Sequence, residues 1–102
     1  MCEKLTETTG KMVLRGYILH ICEAAEPLGA GLEVILGALK REGFPASAAD
    51  VRKACEYMQG KGLLELKEIR NDVLNIHRTL AKVTPLGIDV LEGNAAADGV
   101  QL

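Results

Sequence analysis

The sequence predicts an α+β domain, mainly helical. Apolar residues recur at helical spacing up to Gly60, alternate singly from Leu64 to Val83, and return to helical spacing after Thr84-Pro85. At 102 residues the chain has room for one modest core.

The first helix is expected from Lys11 to Ala25, with Leu14, Ile18, Ile21, Cys22 and Ala25 on its inner stripe. Residues 1–10 are polar and read as a flexible segment in which Thr8 or Thr9 caps this first helix. Glu26-Pro27-Leu28-Gly29 stops the helix, because proline lacks a donor and restricts the residue before it. A second helix runs from about Gly31 to Glu42, with Leu32, Ile35, Leu36 and Leu39 inward and Gly43 as its stop.

Ser47 opens the third helix. Ser47-Ala48-Ala49-Asp50 has the form of a capping box with Asp in the fourth place. Val51, Ala54, Cys55 and Met58 form its buried stripe, which leaves Ala49, Asp50, Arg52, Lys53, Glu56 and Gln59 outward. Gly60-Lys61-Gly62 ends it. A half-buried strand then runs from Leu64 to Ile69, Arg70-Asn71-Asp72 reads as the turn of a hairpin, and a second strand runs from Val73 to Val83. A helix over residues 72–82 is the alternative for that last stretch. Thr84 as cap and Pro85 at the first position start a final helix that docks through Leu86, Val90 and Leu91 and ends at Gly93. Residues 94–102 read as a frayed tail.

Composition narrows the function classes. Aromatic residues are 3% of the chain, too few for base-stacking platforms on single strands. Net charge is −2, with the positive excess between residues 61 and 84 (Lys61, Lys67, Arg70, Arg78 and Lys82 against Glu65, Glu68 and Asp72). Cys2, Cys22 and Cys55 are widely spaced and read as reduced thiols, the latter pair in the core. No apolar run approaches the ~18 residues of a membrane span, and no signal peptide is visible, so the expectation is a cytoplasmic protein. His20 and His77 lack partners that converge on one metal, since Cys22, two residues after His20, faces another side of the helix; Ser47 is explained by its cap, and Gly29-Ala30-Gly31, with no preceding strand, reads as a turn. The expectation is no enzyme, no metal, no cofactor and no small-molecule substrate.

Three helices, a hairpin and a capped helix are the order of a winged helix-turn-helix: a three-helix core, a two-stranded β-wing and a C-terminal helix. The segments Arg15-GYILHICEAA, Ser47-AADVRKACEYMQGKGLLEL and Val83-TPLGIDVLEG resemble those of winged-helix proteins, most closely small proteins of Mu-like transposable phages and prophages. The resemblance spans residues 13–93, and the domain is expected over 11–93. The winged-helix order leads, by analogy of fold, to the expectation of a double-stranded DNA partner and a role in transcription regulation as a homodimer, with Lys11–Ala25 and the N-terminal segment, or the final helix, as the candidate interface.

The residues suited to that role fall in two groups. On the third helix, Ser47, Arg52, Lys53 and Gln59 are placed to meet a major groove, Arg pairing with guanine and Lys with phosphate. On the hairpin, Lys67, Arg70, Asn71, His77 and Arg78 are placed for the backbone or a minor groove, and the local charge makes this the stronger electrostatic candidate. Each group has a plainer reading. Arg52 and Glu56 make an i,i+4 pair on a solvated face, and cations on a hairpin blunt an exposed edge. Asp50 and Glu56 on the outward face support a second function: a protein-binding winged-helix module in a phage assembly or packaging complex.

Overall fold

The computed structural model describes residues 2–102, and their side chains from residue 8 onward. Its elements are α1 (Cys2–Ala24), β1 (Ala30–Gly31), α2 (Leu32–Arg41), α3 (Ala48–Gly60), β2 (Leu64–Asn71), β3 (Ile76–Val83) and α4 (Pro85–Leu91). The strands form one antiparallel sheet in the order β1-β3-β2.

The α3 element forms as its sequence dictates. Ser47 Oγ accepts from Asp50 N at 3.1 Å, and Asp50 Oδ2 accepts from Ser47 N at 3.0 Å, so the capping box is closed in both directions. Val51, Ala54, Cys55 and Met58 are all buried. They meet Leu14, Ile18, Leu19 and Cys22 of α1, Ile35 and Leu39 of α2, and Leu63, Leu64, Ala81 and Val83 of the sheet in one aliphatic core. Gly62, at φ +77, takes the left-handed turn that carries the chain from helix to strand. Thr84 ties the end of β3 to this junction: its Oγ1 accepts from Gly87 N at 3.1 Å and donates to Gly62 O at 2.6 Å. A side chain at Gly87 would meet Leu63 O and Val83 Cγ2, so α4 approaches the sheet as closely as a glycine permits.

The structure differs from the sequence reading in four places. First, α1 starts at Cys2 rather than Lys11, so Thr8, Thr9 and Gly10 lie within the helix and neither threonine caps it. The side chain of Cys2 lies outside the described residues. Second, Ala30 and Gly31 form a short strand paired with Ala81 and Leu80, where the sequence suggests only a turn; it fastens β3 to the helices. Third, the hairpin turns later than Arg70-Asn71-Asp72. Pairing continues out to Asn71↔Ile76, and residues 72–75 make the turn. Asn71 Oδ1 accepts from Leu74 N at 3.1 Å, and Asn75 takes up the reversal at φ 52.

Fourth, residues 94–102 dock instead of fraying. Gln101 N donates to Met12 O at 3.0 Å, and Ala95, Ala97 and Val100 pack on the core. The crossing is close at Gly16, where a side chain would run into the Gln101 carbonyl.

Candidate functional site

The outer face of α3 is open. Asp50, Arg52, Lys53, Glu56 and Gln59 are all exposed, as is Ser47 at its cap. Two different structures border this face.

On the hairpin side, Arg52 Nη2 donates to Thr79 Oγ1 at 3.4 Å, and Thr79 Oγ1 donates to Glu68 Oε1 at 2.9 Å. Glu68 Oε2 meets His77 Nε2 at 2.6 Å. Thr79 is buried, at 6% exposure, and links the helix to both strands. The Thr79 and His77 hydrogen bonds hold the Glu68 carboxyl below its usual range. The most cation-rich stretch of the sequence therefore has a carboxylate at its centre in space.

Strand register divides the hairpin's candidate residues. Directly paired residues of an antiparallel ladder share a face. Leu64↔Val83, Leu66↔Ala81, Glu68↔Thr79 and Arg70↔His77 therefore lie on the face that meets α3. Lys67↔Leu80, Ile69↔Arg78 and Asn71↔Ile76 lie on the other. Arg70 and His77 thus share a side with Arg52, whereas Lys67 and Arg78 are turned away from it. Asn71 uses its side chain to hold the turn. At the tip the structure shows what the sequence reading missed: Val73 is 94% exposed and Leu74 65%.

On the α1 side lies a groove of about 490 Å3, open to solvent and bounded by α1, the α2–α3 connection and the start of α3. Leu14, Phe44 and Ala54 give it an apolar floor, and Lys11, Arg15 and Lys53 supply cations. Asp50 also lines it, but its carboxylate accepts from the Ser47 backbone N–H, and its own N–H donates to the Ser47 hydroxyl. The Ser47 backbone and side chain, with smaller contributions from Lys53 and Lys11, hold the carboxyl below its usual range. Arg15 is fixed from both sides: its guanidinium stacks 3.7 Å over the Tyr57 ring, and Nη1 donates to Gly99 O at 2.9 Å. Its Nε is buried without a hydrogen-bond partner among the described residues. Tyr57 in turn donates to Asp98 O at 3.3 Å, so the C-terminal segment supports this wall of the groove. Lys11 and Arg15 are absent from the sequence-level candidates because they precede α3 by more than 30 positions, and only the α1–α3 packing brings them to Lys53.

His20 is exposed on α1 and has no part in either border. Cys22 and Cys55 are buried free thiols, each pushed up to about 12 chiefly by burial, so both remain protonated core groups. Among the described residues no helix is long and apolar enough to cross a membrane. No family model matches the chain, and no curated protein or solved structure matches it either.

Proposed function

We propose that this chain is a winged helix-turn-helix protein that binds double-stranded DNA, placing the outer face of α3 in the major groove with the β2–β3 hairpin as its wing. In this reading it is a transcription regulator of phage or prophage origin, acting as a homodimer in the cytoplasm, and not an enzyme.

The observation that carries the proposal is the exposed face of α3 with cations on both of its borders: Lys53 beside Lys11 and Arg15, and Arg52 joined through Thr79 to the hairpin. Arg52, Lys53 and Arg70 are assigned to DNA contact, with Lys11 as an added phosphate contact. Ser47 and Gln59 stand at the two ends of the face, although Ser47 Oγ already accepts from Asp50 N. His77 is occupied by Glu68, and Asn71 by the turn. Lys67 and Arg78 are left out of this interface by their register.

The test is fluorescence anisotropy with a random duplex at low and moderate salt. Binding is expected to be salt-dependent and in the non-specific range of about 10⁻⁴–10⁻⁶ M. Absence of binding near ~100 µM at low salt would end the proposal.

One observation favours the second reading, a protein-binding module of a phage assembly. The exposed Val73 and Leu74 at the hairpin tip, with Asp50 and Glu56 on α3, suit a protein partner better than a phosphate backbone. That reading has no DNA readout: duplex binding should be absent in the anisotropy test, and Val73→Ser with Leu74→Ser should abolish the partner contact.

A further inference from the structure

The groove beside α3 has more structure than phosphate contact requires. A phosphate is held by cations and backbone amides at a surface, whereas this groove adds about 490 Å3 of space over Leu14, Phe44 and Ala54. That volume lies within the range of about 300–1,000 Å3 in which small-molecule sites fall.

We propose that this groove is a binding site for a small organic monoanion: a carboxylate attached to an apolar body about the size of one ring with a short chain. Three features select that chemistry. The apolar floor accepts a hydrocarbon body and gives a polyphosphate nothing to pair with. Lys11, Arg15 and Lys53 outnumber the one carboxylate, Asp50, which is held ionised in the capping box; the local balance is positive, so an anion is preferred over a cation or a neutral ligand. The third feature is that Arg15 is preorganised. Stacking on Tyr57 and the bond to Gly99 O fix its guanidinium before any ligand arrives. The site shares Lys11 and Lys53 with the proposed DNA contact, but its apolar floor and Arg15 have no assigned part in that contact, so the site stands whether or not α3 enters a DNA groove.

The experiment is a titration of the full chain with 4-phenylbutyrate, followed by backbone amide chemical shifts, with 4-phenylbutyramide and inorganic phosphate as comparison probes. Saturable shifts are expected at Lys11, Leu14, Phe44 and Lys53 with the carboxylate, and weaker ones with the amide or with phosphate. Lys11→Gln and Lys53→Gln should each weaken binding about two- to fivefold, the range for an exposed charge pair. Lys40→Gln, on exposed α2 surface outside the groove, should leave it unchanged. Equal binding of the amide would remove the cations from the site and overturn the proposal. Equal binding of phosphate would make the groove a phosphate contact only, with the same consequence. Shifts centred on Val73 and Leu74 would assign the ligand to the exposed tip and also overturn it. DNA binding by anisotropy is a separate readout, so the failure of either reading leaves the other standing.

Discussion

The two borders of α3 carry similar numbers of cations and dispose of them in opposite ways. Along the hairpin, Glu68 gathers Thr79 and His77, the charge of Arg52 acts on it, and Lys67 and Arg78 are turned to the far face. Along α1, Lys11 and Lys53 face a single carboxylate already committed to a cap, and Arg15 is held by an aromatic ring and a backbone carbonyl instead of by an acid. The lesson is that a run of basic residues in sequence is a poor guide to a basic surface. Alternation along a strand splits such a run, and one well-placed carboxylate neutralises what remains, while distant residues on packed helices converge.

If the α1 border is rigid because Arg15 joins it to the C-terminal segment, Arg15→Ala is the most damaging single change on either side. It removes the stacking on Tyr57 and the bond to Gly99 O, and should cost about 2 kcal/mol in urea denaturation. Faster hydrogen exchange at the Gln101 amide should accompany it, since that amide's bond to Met12 O holds the same segment. Unchanged exchange there would show that the segment docks without Arg15.

Next in size is the hairpin border. Thr79→Val keeps the buried shape but deletes the acceptor for Arg52 and the donor to Glu68, and should cost about 1 kcal/mol. Its effect on stability should exceed that of His77→Ala, whose ring is exposed. The reverse order would mean that Thr79 only fills space.

The smallest effect is on acid stability. Glu68 and Asp50 both titrate below the ordinary carboxylate range in the folded chain. Their contributions are therefore complete above the unfolded values of about 4.3 and 3.9, and are lost as pH falls through the lower folded values. The urea midpoint should decline on that acid side, and the decline should be shallower in Glu68→Gln and in Asp50→Asn. An equally steep decline in both variants would place the acid sensitivity elsewhere.

The parts of the molecule readable in sequence are those whose signals are local. The α3 cap, stripe and Gly62 exit all depend on neighbours within a few positions, and each is formed. The hairpin turn is less legible: Arg70-Asn71-Asp72 has turn composition, and Val73-Leu74 has strand composition. The Asn71 side chain and the positive φ of Asn75 nevertheless start the reversal two residues later. A two-residue strand such as β1 carries no period to read, and the docked tail has small and polar residues with no helical or strand period, whose packing depends on Gly16 and Arg15 far away in the chain. The α1 groove is illegible for the same reason. Its residues are ordinary until the helices cross.

The salt dependence of duplex binding tests the central claim, that α3 contacts DNA through the α1 border and not through the far face of the hairpin. The slope of log K against log salt should fall by about 0.9 for each phosphate contact removed. Lys11→Gln with Lys53→Gln should therefore flatten it by about 1.8, while Lys67→Gln with Arg78→Gln should leave it unchanged. A slope that flattens only in the second pair would contradict the account.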